Sequence, residues 1–289
     1  MLWTLNVQED DMSDKKVIVI TGGSDGIGAA GARRLHADGH QVVLVGRSPD
    51  KTRAVAHEVG AEYFLSDFAR LDDVRDLAAA LTAKHPRIDV LANNAGGMLG
   101  ARVETVDGFE QTFQVNHLAP FLLTNLLQDT LIASGATVIQ TASVAARLFG
   151  HIDMADLNNE RAYSPLKAYG DAKLANILFT RELHTRFHAR GVSTAAFHPG
   201  VIATGFAAGS TNSAMKFLYT NPVAKRFLRS SDAGADQLVW LAESLPGSAW
   251  KSGSYYEKRS IARRVNPQST DDRLAAALWR ESAAMTMRG

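Results

Sequence analysis

Val17-Ile18-Val19-Ile20-Thr21-Gly22-Gly23-Ser24-Asp25-Gly26-Ile27-Gly28 sends a β-branched run straight into a glycine loop, and an alanine-rich helical segment follows. Strand, glycine loop and helix in that order predict the first βα turn of a nucleotide-binding sheet. Glycines permit a tight turn and let the backbone approach a pyrophosphate, which the helix N-terminus attracts. A glycine turn without a ligand is the competing interpretation, and the strand before and the helix after argue against it. The spacing is Gly-x-x-x-Gly-x-Gly rather than Gly-x-Gly-x-x-Gly.

Outward from this turn, short β-branched runs alternate with longer helical patterns. Val17–Ile20, Gln41–Val45, Ala61–Leu65, Ile88–Ala92, Thr137–Thr141 and Ser193–Phe197 read as strands. Several are apolar without alternation, as expected of parallel strands covered on both faces. Ile27–Ala37, Leu71–Ala83, Val106–Leu127 and Lys167–Arg190 read as helices; Leu71, Val74, Leu77, Ala78 and Leu81 follow helical spacing closely. A last strand is expected at Gly253–Tyr256 and a closing helix at Asp271–Ala283. Such alternation predicts an α/β fold, a doubly wound parallel sheet of the Rossmann type with right-handed crossovers. No composition shift marks a boundary, so residues 15–289 read as a single domain. The acidic segment before it, residues 1–14, reads as a disordered or extended leader.

The tips of the next strands face the same side as the glycine loop. An acidic residue at the end of the second strand would grip the 2′-hydroxyl of NAD. Here Val45-Gly46-Arg47-Ser48 has no acid, and Arg47 is suited to clamp a 2′-phosphate through charge-assisted bonds. NADP(H) is therefore favoured, with NAD(H) still compatible; Asp25 in the glycine loop is a charge that opposes a phosphate. Ser66-Asp67 follows the third strand, where a carboxylate can accept from an adenine amino group. Asn93-Asn94-Ala95-Gly96 follows the fourth, where small residues admit a cofactor close to the backbone.

Further on, Tyr169-Gly170-Asp171-Ala172-Lys173 places a phenol and an ammonium four residues apart, on one helix face. A nearby positive charge favours the phenolate and lowers a tyrosine pKa that is ordinarily about 10. The pair is suited to exchange a proton with an oxygen on a substrate carbon. Alone, such a pair arises by chance on many surface helices; its position in this series of motifs gives it weight.

These residues, in this order, resemble the short-chain dehydrogenase/reductase family from about Val17 to Tyr256. The resemblance implies that Asn116, Ser143, Tyr169 and Lys173 are the catalytic set. It places the glycine loop on Gly22, Gly26 and Gly28, and the adenine-side carboxylate on Asp67. The Asn-Asn-Ala-Gly block falls on Asn93 to Gly96, the Pro-Gly turn on Pro199 and Gly200, and the nicotinamide-holding threonine on Thr204. Cofactor contacts are implied at Ser24, Ile27, Arg47, Asn94, Ala95 and Ile202 as well. Tyr169 would then protonate the alkoxide, Lys173 would bond the cofactor ribose, Ser143 would donate to the carbonyl oxygen, and Asn116 would anchor a water linking Lys173 to solvent. Lys173-Leu174-Ala175-Asn176-Ile177-Leu178-Phe179, Val115-Asn116-His117-Leu118-Ala119-Pro120-Phe121 and His198-Pro199-Gly200-Val201 look most like the retinol dehydrogenase and WW-domain oxidoreductase branch. So does the long insertion, residues 144–168, between serine and tyrosine. Membrane-bound members of that branch carry an N-terminal anchor; the first sixteen residues here contain Glu9, Asp10, Asp11 and Asp14 and no long apolar run, so soluble bacterial-type relatives are the nearer comparison.

Bulk composition agrees. The 289 residues are 46% hydrophobic and 21% charged with net charge +1, ordinary for a globular protein and giving no sign of a nucleic-acid partner. There is no cysteine, which excludes disulfides, thiolate metal sites and a cysteine nucleophile and fits a cytoplasmic location. His184 and His188 are four apart on a helix, yet no third ligand is near, so an exposed polar face is expected and no metal. Residues 205–231, basic and apolar, are expected to form a lid over an apolar substrate. The expected partner is a small carbonyl or alcohol, self-association into a homo-oligomer being left open. Two other functions compete: an extended-type sugar epimerase, disfavoured by the loop spacing, and a catalytically weak nucleotide-binding regulator, disfavoured by the complete catalytic set.

Overall fold

The first strand shows why its sequence has no alternation. In the computed structural model, which describes residues 15–200 and 230–287, β1 (Val17–Thr21) points Ile18 and Ile20 into one core and Val19 into another. Successive side chains leave opposite faces of a strand, so a strand covered on both faces must be apolar throughout. β2 (Gln41–Gly46) divides the same way, Val42 and Leu44 against Val43 and Val45. β3 (Glu62–Leu65), β4 (Val90–Asn93), β5 (Thr137–Thr141), β6 (Ser193–His198), β7 (Ser254–Glu257) and β8 (Ser260–Ile261) complete a sheet in the order β3-β2-β1-β4-β5-β6-β7-β8. All neighbours pair in parallel except β7 and β8. The expected doubly wound sheet is present.

One face is covered by α1 (Gly26–Ala37), α2 (Pro49–Glu58) and a later helix, Ser231–Glu243, through Leu35, Val55, Leu238 and Leu241. The other is covered by α3 (Leu71–Lys84), whose Leu71, Val74, Leu77, Ala78 and Leu81 are all buried as their spacing predicts. Beside α3 run a short α4 (Gln111–Phe113), a π-helical turn Gln114–Leu118, and α5 (Ala119–Leu126). α6 (Gln128–Ala133) and α7 (Ala145–Leu148) flank β5. α8 (Pro165–Phe187) is the longest helix, capped by the Ser164 side chain with Pro165 in its first turn. The helix Ser231–Glu243 is α9, and α10 (Asp272–Thr286) packs outside α8, with Trp279 against Phe121 and Phe179.

Several elements depart from the sequence reading. The helix expected over Val106–Leu127 begins only at Gln111, because Thr105 to Glu110 make a turn in which Glu110 caps α4. It is then widened at Gln114–Leu118, next to Pro120, which has no N–H for the helical ladder. α2 escaped the pattern because it buries only Thr52, Val55 and Ala56. α9 begins inside the stretch expected to be a lid: Ser230 caps it and Ser231 opens it. The rest of that stretch, together with Ile202, Thr204 and the leader, lies outside the described residues. Among the described residues no helix is long and apolar enough to cross a membrane.

Strand order reverses between β1 and β4, where helices leave to opposite faces. The crevice at such a switch point is where an open α/β sheet holds a ligand.

Candidate active site

Thr21, the last residue of β1, ties the two sides of that crevice together. Its Oγ1 donates to Ala92 O at 3.2 Å and accepts from the N–H groups of Asn94 and Ala95, each at 3.0 Å. Asn94 returns Nδ2 to Thr21 O at 3.1 Å and accepts at Oδ1 from Thr141 Oγ1 at 3.2 Å. The glycine loop is thereby held against Asn94-Ala95-Gly96. Gly22 has φ 65°, and a Cβ there would come within 2.8 Å of Ala95 Cα. A Cβ on Gly28 would collide with the carbonyl of Gly22. The loop therefore closes only with bare backbone at Gly22 and Gly28.

The residues present fit a dinucleotide. α1 has no acidic residue in its first turn, and its N-cap Asp25 takes Gly26 N–H at 2.7 Å. The charge that would oppose a phosphate is countered: Lys51, on α2, donates to Asp25 Oδ2 at 2.9 Å, and this contact holds the Asp25 carboxyl below its ordinary range. Sequence reasoning missed Lys51 because the pairing crosses from the first βα turn to the second. Arg47 lies exposed at the tip of β2, a strand tied to the glycine loop by Gly23 N–H on Val45 O at 3.0 Å. Asp67 sits past β3, where Oδ1 accepts from Ala69 N–H at 3.1 Å.

Lys173 is deep in the crevice, 3% exposed, with Nζ donating to Thr141 O at 2.9 Å and standing 5.5 Å from the centroid of the Tyr169 ring. Burial disfavours its charged form and pushes its pKa down to about 7. Tyr169, 5% exposed, packs with Met98, Ala145 and Leu166. Ala145 also brings Ser143 near: its N–H donates to Ser143 Oγ at 3.2 Å. The next turn of chain is tied to β6, Val144 N–H donating to His198 Nδ1 at 3.3 Å just before Pro199 and Gly200, the latter at φ 97°.

Asn116 lies in the π-turn, fully buried. Its Nδ2 donates to Thr112 O at 2.8 Å and Gly97 O at 2.9 Å, and its Oδ1 accepts from Gly97 N–H at 3.0 Å. Gly96, at φ 148°, is squeezed between them: a Cβ would strike Asn116 Oδ1 and lie 3.3 Å from Lys173 Nζ. Asn116, Gly96 and Lys173 therefore meet at one point. His184 and His188 lie elsewhere: His188 is exposed, as expected, whereas His184 is half-buried. Their rings lie 4.5 Å apart, His184 Nδ1 is bonded to Ser252 Oγ at 2.9 Å, and His188 Nδ1 is 3.2 Å from Val192 O. Among the described residues no group of three or more His, Asp or Glu is placed to hold a metal.

This arrangement can polarise a carbonyl and move a proton beside a dinucleotide, and the chain is similar in sequence to known proteins. The pattern of the short chain dehydrogenase family matches residues 16–214. Over 276 residues the chain is 43% identical to a protein of Streptomyces sp. (strain C5) named as a candidate daunorubicin C-13 ketoreductase, across 93% of this chain and 92% of that one. It is 37% identical over 284 residues to retinol dehydrogenase 13 of Homo sapiens, across 93% and 84%. A solved structure of an uncharacterised protein from Mycobacterium paratuberculosis superposes with TM-score 0.75 at 32% identity, covering 94% of this chain and 93% of that one. Matches of this length run through the glycine loop, the Asn116 turn and α8 alike, so the chain belongs to the short chain dehydrogenase family, related to the retinol dehydrogenases, and is an NAD(P)-dependent oxidoreductase that interconverts carbonyls and alcohols.

Proposed function

We propose that the chain uses NADP(H) to interconvert apolar aldehydes or ketones and their alcohols, with Tyr169 as the acid and base. The observation that carries this reading is the Lys173 ammonium, buried beside the Tyr169 ring with a pKa near 7. When bound, the nicotinamide supplies the hydride for the carbonyl carbon. Tyr169 gives its phenolic proton to the carbonyl oxygen, and the adjacent Lys173 charge stabilises the phenolate left behind in a poorly screened site. Because Lys173 titrates near neutrality, it can return a proton to that phenolate. Ser143 Oγ, accepting from Ala145 N–H, keeps its hydrogen to donate to the same oxygen. Asn116 braces Gly96 and Gly97 against Lys173.

With Lys51 cancelling the charge of Asp25, Arg47 supplies the positive charge at the ribose end, which favours a 2′-phosphate. Gly22, Ser24, Gly26, Ile27, Gly28, Asp67, Asn94, Ala95, Pro199, Gly200, Ile202 and Thr204 are assigned to the same cofactor. The relatives' names give daunorubicin and retinol as substrates of those proteins, which supports bulky apolar carbonyls here.

Steady-state reduction of nonanal, retinaldehyde, daunorubicin and glyceraldehyde, each with NADPH and with NADH, tests the reading. One or more of the first three should be reduced faster than glyceraldehyde. NADPH should exceed NADH in kcat/KM by about 10-fold or more, the worth of a charge-assisted contact. Tyr169→Phe should bind NADPH normally and lose roughly 10²–10⁴ in turnover. Equal use of the two cofactors would remove the cofactor assignment, and near-normal turnover by Tyr169→Phe would remove the acid.

A further inference from the structure

The carbonyl of Asn116 has lost its usual helical donor. Four residues on stands Pro120, which carries no N–H. A donor arrives from another helix: Asn176, on α8, places Nδ2 3.0 Å from Asn116 O. Asn176 lies three residues beyond Lys173, on the same helix face. With its Nδ2 committed, Asn176 presents Oδ1 to His117 Nδ1 at 3.3 Å, so that nitrogen must carry the imidazole proton. His117 Nε2 is then an acceptor, and Ser282 Oγ, on α10, donates to it at 2.9 Å.

The three residues are 0–1% exposed. The imidazole is enclosed by the rings of Phe113, Phe121 and Phe179, with centroids 5.1–6.1 Å away. Burial keeps it neutral, lowering its pKa to about 4. A buried polar chain with every member satisfied fixes relative positions more tightly than apolar contact does.

We infer that Ser282, His117 and Asn176 form a positioning chain that runs from the last helix to the Asn116 carbonyl and sets the distance between the Asn116 turn and the Lys173 helix. None of the three is required to touch substrate or cofactor. Asn116 Oδ1 and Lys173 Nζ both border the space that a Cβ on Gly96 would fill, so a shift of the Asn116 turn changes the wall around the ammonium. The inference rests on the assignment of Asn116, Tyr169 and Lys173 given above.

Two measurements test it. Imidazole nitrogen shifts in the folded chain, which need no substrate, should show His117 as the neutral Nδ1–H tautomer; the Nε2–H tautomer would reverse the chain and overturn the inference. Kinetics with NADPH and the best-reduced of the carbonyls above should show Asn176→Leu losing about 10- to 100-fold in kcat, the scale of a misplaced catalytic group. The midpoint of its kcat–pH profile should move while KM for NADPH stays unchanged. Ser282→Ala should shift both in the same direction by less, and Ser282→Thr, which keeps the hydroxyl, should restore them. These two variants carry the test if Asn176→Leu does not fold. Variants that lower the melting temperature but keep the parent kcat and pH midpoint would make the chain merely structural. Tyr169→Phe is measured alongside: if it retains turnover, the site assignment is at fault, whereas its inactivity beside fully active Asn176 and Ser282 variants refutes the chain alone.

Discussion

At the scale of single residues, Lys173 sets stability against chemistry. The Lys173 ammonium is 3% exposed and donates to Thr141 O, and burial lowers its pKa from 10.5 to about 7. The unfolded chain keeps this proton throughout that range while the folded chain releases it. Stability from this group is therefore highest above pH 10.5, declines as pH falls towards 7, and stays reduced below. Removing the amine should reverse the loss. Lys173→Met, measured by urea unfolding near pH 6, should be more stable than the parent by on the order of 1–3 kcal/mol, though inactive. A variant less stable than the parent would mean that the ammonium is well accommodated. Tyr169 and Lys173 stood out through their four-residue spacing only together with the order of the motifs around them. Thr141 did not, because a backbone carbonyl leaves no mark on the residue type that carries it. Lys51 was equally hidden, since its partner Asp25 belongs to a different turn.

At the scale of elements, α8 presses on the insertion that follows Ser143. A Cβ on Gly170 would lie 2.7 Å from both Gly150 N and Phe149 C, so helix and insertion touch backbone to backbone, one residue from Tyr169. The insertion cannot easily retreat. Asp171, buried on α8, takes His151 N–H at 2.7 Å and Lys167 Nζ at 2.6 Å. From the other side Asn266 Nδ2 donates to Ala146 O and Gly150 O, and Gln268 holds both backbone groups of Ile152. Helix propensity alone would favour Gly170→Ala by about 1 kcal/mol. The collision with held backbone should outweigh that and leave a net loss of about 1–3 kcal/mol, read as a lower thermal midpoint together with reduced turnover. An unchanged midpoint and rate would show that the insertion yields. The major strands were legible because burial of both faces demands a continuous apolar run, and α3 because burial of one face imposes a period of 3.6. The break between α4 and α5 was not, since Gln114 to Leu118 are all compatible with a helix and only the proline hints at a widened turn. α2 and α9 lay hidden for opposite reasons: one buries too little to show a stripe, and the other starts inside a stretch whose residues suggested a lid.

At the scale of the whole molecule, the pH response is a sum over groups of opposite sign. Glu110 and Asp171 have carboxyl pKa values raised by burial, so the folded chain binds their protons first and gains stability as pH falls. Asp25 and Asp236 are held low by Lys51 and Arg259, and their contributions fade only as pH drops below the ordinary carboxylate value of 3.8. His117 works against stability in the window between. Its pKa is 6.5 when unfolded and about 4 in the fold, so the unfolded chain takes up a proton that the folded chain refuses. Its contribution is complete above pH 6.5 and is lost progressively down to about pH 4. No hydrogen bond or ring contact of His117 involves Glu110, Asp171, Asp25 or Asp236. Comparing the parent with His117→Gln therefore cancels those groups. At neutral pH the variant should be the less stable of the two, having lost contacts with Asn176 and Ser282. Between about pH 7.5 and about pH 4.5 that gap should shrink by about 2–3 kcal/mol, because only the parent carries the cost of keeping an imidazole neutral in acid. Urea midpoints of both proteins across this range measure it. A gap independent of pH would mean that His117 takes its proton inside the fold, and would place solvent or a counter-charge within the aromatic cage.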